Sequence, residues 1–265
     1  MKLSIVTIAY NSAATIETTI QSVAAQSFPE IEHVVVDGGS TDGTVEILER
    51  GNGGVDKFIS EPDDGIYDAL NKGIRLATGD VIGFLHTDDF FRDKGVVERI
   101  ARAFGDDSVD AVYGDCVYVD SSDTDRVTRY WRTGNYRKGA FRRGWMPPHT
   151  TFFARRSCYE RLGLYRTDFR SAGDYELMLR FIHKEEIRLR YIPEVLVVMR
   201  EGGTSNRSLK NRVRANNEDR RAWTVNGLTP PFYTRYLKPL RKINQYWRRP
   251  PERKAERLKS PGVKR

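Results

Sequence analysis

Residues 79–89 read GDVIGFLHTDD, an apolar run followed by two adjacent acidic side chains. The run Val81–Leu85 has the length and composition of a buried strand, and Asp88 and Asp89 follow its carboxyl end. In a sheet of parallel strands, ligands bind beyond that end, where the loops converge. Carboxylates there suit a hard divalent cation such as Mg²⁺ or Mn²⁺, which completes its coordination shell with phosphate oxygens and water. The competing interpretation is a turn capped by Asp88, with Asp89 merely solvated.

The residues before this stretch alternate strand-like and helix-like segments. Strands are predicted at Leu3–Ala9, Glu32–Val36 and Lys57–Ser60, and helices at Thr41–Arg50 and Ile66–Leu76. Another helix, with Ile16, Ile20 and Val23 on one face, follows good N-cap residues at Asn11 and Ser12. This order predicts an α/β fold in which helices cover a mainly parallel sheet.

Beyond residue 90 the pattern is less regular. Strands are predicted at Ala111–Val119, at Val127–Trp131 and at Leu189–Met199, the last interrupted by Pro193, and an amphipathic helix at Tyr175–His183. The two cysteines, Cys116 and Cys158, form no CxxC pair and no zinc spacing, so we expect buried free thiols. Low cysteine use, and a strand that begins at Leu3 without a secretory leader, predict a cytoplasmic protein.

The net charge of +8 conceals a strong asymmetry along the chain. Residues 1–125 carry 9 Lys and Arg against 24 Asp and Glu, whereas residues 126–170 carry 12 against 2. Residues 207–265 carry 18 against 4. An acidic first half is unusual for a nucleic-acid-binding protein and suits a metal site, while the basic remainder suits anionic partners.

A second acidic position, Asp37, stands at the end of a predicted strand in VVVDGGSTDG, residues 34–43. A carboxylate there can accept a hydrogen bond from a nucleobase N–H, and the glycines let the ligand approach the backbone. The alternative is a simple strand-to-helix turn with Ser40 or Thr41 as N-cap. The loop lacks GxGxxG and GxxxxGK[ST], so neither a dinucleotide fold nor a P-loop is supported.

Three segments together carry a resemblance to a known family. Residues 4–11 (SIVTIAYN), the loop at 37–43 and Thr87-Asp88-Asp89 resemble, in this order, glycosyltransferase family 2, and the likeness covers roughly residues 1–205. Residues 61–73 (EPDDGIYDALNKG) are similar to its bacterial exopolysaccharide and O-antigen branch. The resemblance implies the GT-A fold, an α/β architecture with a Rossmann-like nucleotide-binding half.

The resemblance also implies roles for individual residues. The nucleotide base and ribose would be held by Thr7, Ala9, Tyr10 and Asp37. Asp88 would contact the nucleotide sugar, and Asp89 would bind the divalent cation. The family's Asp-x-Asp reads Thr-Asp-Asp here, so the division of labour between these two residues stays open. Lys72 would reach a phosphate, or it would be an ordinary solvated helix lysine.

The catalytic base is expected in AGDYELMLR, residues 172–180, where Asp174 matches the family's base. A positioned carboxylate can take the proton of a sugar hydroxyl as the new bond forms, although Asp174 could also be a helix N-cap. His149, in PPHTT at 147–151, would contact donor phosphate, metal or acceptor, or be structural. Arg200 opens REGGTS, residues 200–205, which would be either a lid over the diphosphate or a plain surface loop.

These features predict an inverting, metal-dependent hexosyltransferase. Its donor would be a UDP- or GDP-sugar, and its acceptor a hydroxyl of a glycan or a polyprenyl-linked sugar. One rival, a sugar-1-phosphate nucleotidyltransferase, usually needs a Gly/Arg/Lys-rich loop near the N-terminus, and residues 7–12 have none. The other, a nucleic-acid-binding protein acting through residues 207–265, would carry a recognisable binding motif, and none accompanies the charge.

Two domains are predicted, a catalytic one over residues 1–205 and a basic, aromatic-rich extension over residues 206–265. The extension would be helical and then disordered from Pro251 onward. Within it, residues 232–247 repeat aromatic and aliphatic side chains at helical spacing. This segment would be either an interfacial helix at the inner face of the plasma membrane or a helix packed on the catalytic domain.

Overall fold

The computed structural model describes residues 1–50, 54–202, 209–247 and 250. Within these residues nine strands form one sheet. The strands are β1 (Leu3–Ala9), β2 (Ile31–Asp37), β3 (Lys57–Ser60), β4 (Val81–Phe84), β5 (Asp89–Phe91), β6 (Ala111–Val119), β7 (Val127–Trp131), β8 (Phe153–Arg155) and β9 (Leu189–Arg200). Their order across the sheet is β3-β2-β1-β4-β8-β6-β9-β5, with β7 paired to the second half of β6.

Helices connect and cover these strands. They are α1 (Ile16–Ala24), α2 (Thr44–Glu49), α3 (Ile66–Leu76), α4 (Val96–Ala103), α5 (Arg156–Leu162), α6 (Gly173–Met178), α7 (Leu209–Val225) and α8 (Thr234–Trp247). Short 3₁₀ turns lie at Ala140–Arg143 and His149–Thr151, and a π-helical turn, Leu179–Lys184, continues α6. In the described ranges no helix combines the length and the apolar character needed to cross a bilayer.

The sheet is parallel in its first half and mixed beyond β4. The pairs β1–β2, β2–β3 and β1–β4 are parallel, whereas β8 runs antiparallel to both β4 and β6. Because β9 is parallel to β6, it points the same way as β4. The mainly parallel α/β sheet predicted from the sequence is confirmed, and the mixed half comes from three short strands.

Side chains of one strand alternate between two cores because successive residues point to opposite faces. On β1, Ile5 packs in a cluster with Val23 and Ile100, while Val6 packs in a second cluster with Leu70. On β4, a Cβ added to Gly83 would lie 2.0 Å from the Phe153 ring. Glycine therefore lets β8 approach closely, and this approach brings the turn at 149–151 over the end of β4.

Several predicted boundaries were wrong, each for a local reason. The first helix begins at Ile16 after a turn, and neither Asn11 nor Ser12 caps it with a side chain. The second helix begins at Thr44 rather than Thr41, since the Ser40 hydroxyl bonds to Asp37 instead of capping a helix.

Other differences lie in the second half of the chain. The helix predicted from Tyr175 begins at Gly173. Strand β9 continues through Pro193 because the pairing with β6 shifts register there and absorbs the missing N–H. Cys116 and Cys158 are buried and free, as expected.

The predicted extension packs on the preceding residues. In α7, Trp223 is 2% exposed and its indole N–H donates to the Tyr175 hydroxyl at 3.0 Å. In α8, the Gln245 side chain accepts a 2.6 Å hydrogen bond from Arg129 Nε on β7. Residues 209–225 and 234–247 are helical, while the predictions made for residues 203–208 and 251–265 lie outside the described residues.

Candidate active site

The predicted site residues gather at the edge of the sheet where the parallel strands end. Ala9, the last residue of β1, pairs with Asp37, the last residue of β2. Strand β4 ends beside them and leads through His86 to Asp88, and β9 ends at Arg200. Because β9 points the same way as β4, Arg200 reaches this edge too.

Asp37 organises the loop that follows β2. It is fully buried, and its carboxylate accepts hydrogen bonds from the backbone N–H groups of Gly39 at 3.0 Å and Ser40 at 2.9 Å. The hydroxyls of Ser60, at 2.7 Å, and Ser40 donate to it as well. Both oxygens therefore accept hydrogen bonds within the protein, so Asp37 shapes this loop, and its contact with a nucleobase stays a prediction.

The open surface beside this loop is formed by Tyr10 and Asp63. Tyr10 is 67% exposed. A Cβ built on Gly38 would lie 2.4 Å from Asp63 Oδ2 and 3.4 Å from the Tyr10 ring, so the carboxylate occupies the space that glycine leaves. Asp63 Oδ1 accepts from the Gly65 N–H at 2.8 Å, whereas Oδ2 receives no hydrogen bond from the described part of the chain. Asp63 thus has a carboxylate oxygen beside the exposed Tyr10 ring that is free to accept a hydrogen bond.

Three other residues predicted to contact the nucleotide are buried or paired with residues of the protein. The Thr7 hydroxyl is fully buried, 3.0 Å from His33 Nε2, and Ala9 is 4% exposed. Lys72 forms a 2.8 Å ion pair with Glu61, and this hydrogen bond is the chief reason that the pKa of Lys72 is raised. Thr7 and Ala9 therefore shape the floor of the site, and Lys72 neutralises acidic residues of its own loop.

The two adjacent acids face different environments. Asp88 lines the cavity described below, and its backbone oxygen accepts a 3.1 Å hydrogen bond from Arg200. Asp89 is 1% exposed, and its pKa is raised well above the usual value, first by burial and then by the charge of Asp88. The Arg200 guanidinium lies over the Phe90 ring, 5.2 Å from its centroid, close enough to offset part of this negative charge.

The donor set fits a divalent cation that also binds a ligand. Asp89 Oδ2 is buried without a hydrogen-bond partner in the described ranges, and such an orphaned carboxylate oxygen is costly unless a cation or proton satisfies it. No group of three or more His, Cys, Asp or Glu side chains in the described residues is arranged to hold a metal. A cation at Asp88 and Asp89 would thus depend on phosphate oxygens or water for the rest of its shell.

Two histidines join the predicted base to the end of β4. His86 Nε2 lies 2.6 Å from His149 Nε2, and His149 Nδ1 lies 3.8 Å from a carboxylate oxygen of Asp174. Burial lowers the pKa of both imidazoles, and the charge of the neighbouring histidine lowers that of His86 further. Burial also raises the pKa of Asp174. The result is a chain of two neutral imidazoles ending at a carboxylate with increased basicity.

Asp174 is held in place from α7. The Glu218 carboxylate accepts hydrogen bonds from the backbone N–H groups of Ser171 at 2.7 Å and Ala172 at 2.9 Å, and more weakly from Arg170 at 3.2 Å. These donors lie in the turn that leads into α6. A charged acceptor on three successive N–H groups fixes the start of that helix and therefore the direction of Asp174.

A cavity of about 1010 Å³ joins these groups to the last helix. Its lining includes Asp88, His149, Asp174 and Arg200. Residues of β7, α7 and α8 line it as well, among them Arg129, Asp219, Lys238, Arg241 and Lys242. The predicted base and Asp88 therefore line one cavity, whereas Asp37 and Asp89 are not among its lining residues.

Sequence reasoning missed four features of the site. Asp63 lies in the family-like run at residues 61–73, but neither Asp63 nor His86 was assigned a role from the sequence. Glu218 and Arg129 carried no signal beyond belonging to charged segments. All four act through partners between 25 and 116 residues away, and no local pattern reports such pairings.

Comparisons with known proteins agree with this geometry. A family model described as Glycosyl transferase family 2 matches residues 4–163. A "PGL/p-HBAD biosynthesis glycosyltransferase" of Mycobacterium bovis is 32% identical over 216 residues, covering 77% of this chain and 78% of the relative. An uncharacterized glycosyltransferase of Mycobacterium tuberculosis is 34% identical over 184 residues, covering 67% and 68%.

Solved structures share the fold at low sequence identity. A mannosyltransferase from Pyrobaculum calidifontis, in complex with GDP-Man and Mn²⁺, superposes with a TM-score of 0.65 at 22% identity, over 89% of this chain and 68% of that one. Residues 1–349 of TarS from S. aureus, in complex with UDP, give 0.62 at 18%, also over 89% and 68%. The chain spans 37% of a longer TarS structure.

The family model covers more than half of the chain, and the relatives exceed 30% identity over two thirds of it or more. The expected resemblance and the GT-A fold are therefore both confirmed. On these grounds the chain belongs to glycosyl transferase family 2 and is a glycosyltransferase.

Proposed function

We propose that the protein transfers a hexose, with inversion, from a nucleotide-diphosphate sugar to an acceptor hydroxyl. The observation that carries this proposal is the position of Asp174, whose carboxylate lines the same cavity as Asp88. Its pKa is raised by burial, so the anion is a stronger base than an exposed aspartate would be. General-base catalysis of this kind typically contributes about 10²- to 10⁴-fold in rate.

Proton transfer is the central task of these residues. Asp174 takes the proton from the acceptor hydroxyl as its oxygen attacks the anomeric carbon from the face opposite the nucleotide. The bond to the nucleoside diphosphate breaks on the other side, so the configuration at that carbon inverts. Arg200, beside Asp88, is positioned to offset the charge that grows on the leaving diphosphate.

The histidine pair orients the base. An anionic Asp174 favours the His149 tautomer that carries its proton on Nδ1, the nitrogen 3.8 Å away. His149 Nε2 must then accept a hydrogen bond, and His86 Nε2–H is the donor at 2.6 Å. This arrangement keeps His149 neutral and places its Nδ1–H 3.8 Å from Asp174, longer than a hydrogen bond but close enough to bias the orientation of the carboxylate.

We assign recognition of the donor base to Tyr10 and Asp63. The exposed Tyr10 ring is a stacking surface, and the free Oδ2 of Asp63 beside Gly38 is an acceptor for a base N–H. Uracil and guanine both present such an N–H. Asp63 thus takes the part that the sequence assigned to Asp37.

The carboxylates of Asp88 and Asp89 would hold a divalent cation, Mn²⁺ or Mg²⁺. When bound, that ion supplies positive charge against the leaving diphosphate. The orphaned Oδ2 of Asp89 supports this assignment. The Pyrobaculum mannosyltransferase of the same fold was solved with GDP-Man and Mn²⁺.

The acceptor is proposed to be a glycan or a lipid-linked sugar at the inner face of the plasma membrane. Leu240, Ile243 and Trp247 are exposed and lie at helical spacing on α8, near exposed basic residues of the same helix. Apolar and basic side chains on one helix favour an anionic membrane surface, where each Lys or Arg contributes roughly 1 kcal/mol.

Thermal unfolding with a panel of nucleotide sugars, with and without Mn²⁺, tests the donor and the metal together. A specific donor should raise the melting temperature by mass action, and Mn²⁺ should increase the shift. The Asp89→Asn variant should lose the Mn²⁺-dependent part alone. An absence of stabilisation by every UDP- and GDP-sugar would contradict the proposed function.

A further inference from the structure

Two carboxylates line the cavity from neighbouring helices. Asp174, the proposed base, lies on α6, and Asp219 lies on α7. Burial raises the pKa of both groups, and the charge of Asp174 raises that of Asp219 further. Two carboxylates within electrostatic reach of each other favour the state in which one of them is protonated. A protonated Asp174 cannot act as a base, so the site needs a positive charge that reaches both groups.

Lys238, on α8, is placed to supply this charge. Its Nζ forms a 2.6 Å ion pair with a carboxylate oxygen of Asp219, and both side chains are 17% exposed. The same Nζ lies 3.9 Å from the ring centroid of Tyr175, the residue that follows Asp174 on α6. One ammonium group therefore contacts α7 through a carboxylate and α6 through an aromatic face.

The ammonium group of Lys238 is held in place from several sides. The Lys238 backbone packs against Gly144 so closely that a Cβ there would lie 2.6 Å from it. The Tyr175 ring beneath the ammonium is fixed by its hydroxyl, which accepts a 3.0 Å hydrogen bond from the Trp223 indole N–H. A charge that is preorganised in this way acts on its surroundings without first having to be ordered.

Lys238 counteracts the effect of burial on Asp174. Burial raises the pKa of Asp174, and the charge of Lys238 is the largest effect that lowers it. Two other cations of the cavity lining are placed differently. Arg200 donates to the backbone oxygen of Asp88, and Lys242 is exposed, so that solvent screens its charge.

Titratable and charged side chains face Asp174 from all the elements around it. Those that are neutral are His86, His149, Tyr67 and Tyr165. Those that are charged are Asp88 from the loop after β4, Glu218 and Asp219 from α7, and Lys238 and Lys242 from α8. The carboxylates among them oppose the ionisation of Asp174 and the lysines favour it, and Lys238 is the less exposed of the two lysines.

We propose that Lys238, anchored by Asp219, is a positioning residue that keeps Asp174 free of a proton and ready to accept one from the acceptor hydroxyl. This inference rests on the proposed function, and it deepens it by making α8 a part of the catalytic site, although the family model ends at residue 163. The proton that Asp174 takes up passes to water as the product leaves, which restores the carboxylate. The lysine keeps its own proton throughout, because its ion pair with Asp219 persists.

Nuclear magnetic resonance of protein labelled with ¹³C at the aspartate carboxyl carbons tests this inference. The signal of Asp174 is identified by its absence from Asp174→Asn, and its titration is followed without donor or acceptor. Lys238→Met removes the charge and keeps an unbranched stem, so the midpoint of the Asp174 titration should rise by about one pH unit or more. Lys238→Arg keeps the charge and should titrate like the native protein.

Asp219→Asn should have the opposite effect. It removes the repelling carboxylate and keeps the lysine, so the midpoint of the Asp174 titration should fall below the native value. The matched control is Lys138→Met, because Lys138 forms a 2.5 Å ion pair with Glu186 outside the cavity lining, and its midpoint should equal the native one. Loss of a merely structural ion pair would not move the midpoint in opposite directions in the two cavity variants.

The rate of donor hydrolysis gives a second readout. With the stabilising UDP- or GDP-sugar as donor and water as acceptor, Lys238→Met should release nucleoside diphosphate more slowly than the native protein at low pH. The rate should recover as the pH rises above the new midpoint, because Asp174 is then ionised again. A deficit that is equal at every pH would contradict the inference.

The titrations also separate this inference from the proposed function. A native midpoint in Lys238→Met, or a shift in the same direction in Lys238→Met and Asp219→Asn, would overturn the inference. If Lys238→Met does not fold, Asp219→Asn decides alone, and a midpoint that fails to fall overturns it. Thermal stabilisation by the nucleotide sugars is measured on the same samples. Its absence in the native protein contradicts the proposed function, whereas stabilisation without the stated midpoint shifts contradicts only the role of Lys238.

Discussion

Replacing Glu218 by alanine removes the carboxylate that holds the turn before Asp174. Its two short hydrogen bonds, at 2.7 and 2.9 Å, go to the N–H groups of Ser171 and Ala172, and Ala172 is 2% exposed. The third donor, Arg170, is exposed, so water can replace the carboxylate there. At about 1.5 kcal/mol for each hydrogen bond to a charged acceptor, the loss is roughly 3 kcal/mol of unfolding free energy. For a chain of this size that lowers the melting temperature by about 6–12 °C.

The same substitution should slow transfer more than it weakens donor binding. Loosening the start of α6 lets Asp174 leave its place, and a misplacement of about 1 Å costs about 10²-fold in rate. Steady-state kinetics should show kcat falling while KM for the donor changes little. Glu218→Gln keeps one acceptor oxygen and should recover part of the rate.

Glu98→Ala is the matched control, since Glu98 is an exposed helix glutamate paired with Arg102. Such a surface pair contributes about 1 kcal/mol or less. A Glu218→Ala variant that melts and turns over like Glu98→Ala would refute the assignment of Glu218 as a positioning residue.

Two further predictions concern the donor and the pH. Asp63→Asn should weaken binding of the donor nucleotide by about tenfold, because an amide is a weaker acceptor than a carboxylate and also presents N–H groups to the base. Calorimetry measures this affinity, and the neighbouring Asp64→Asn variant should bind the nucleotide normally. Equal losses of affinity in the two variants would contradict the assignment of Asp63. Burial lowers the pKa of His33 to about 4, so between pH 6.5 and 4 the unfolded chain binds a proton that the folded chain does not. The stabilising contribution of neutral His33 is therefore full above pH 6.5, and the free energy of unfolding falls by about 1.4 kcal/mol per pH unit as the pH drops toward 4. Denaturant unfolding between pH 7 and 4 checks this slope, which should be flatter in His33→Gln.

The sheet could be read from the sequence because its strands are local apolar runs. Apolar composition and length identify two of them, Val81–Leu85 and Ala111–Val119, and the structure has strands there. Strand β5 escaped notice because it has three residues and begins with Asp89, a polar residue that the pairing with β9 buries. A strand this short is stabilised by pairing with a neighbouring strand, and its own residues show no strand pattern.

The sequence pointed to candidate site residues only where they lie near the end of a strand or at the start of a helix. Asp88, Asp174 and Arg200 were found because they follow strands or open a helix in family-like motifs, and the structure brings them to one cavity. No local pattern shows that Ser60, 23 residues after Asp37, donates to its carboxylate, and the contact of Asp37 with a nucleobase stays a prediction. Nor does one show that Asp63, which we propose as the acceptor for the base, reaches over Gly38 from the next loop.

The proposed transfer depends most on Asp174 as the general base, and one measurement tests this role directly. Single-turnover transfer is followed in Asp174→Asn with the stabilising donor and its acceptor, while donor binding is measured on the same preparation. Since an amide cannot take the proton, we predict a transfer rate reduced by about 10²-fold or more with donor affinity within about twofold of the native value. A variant that still transfers the sugar at close to the native rate would contradict the account.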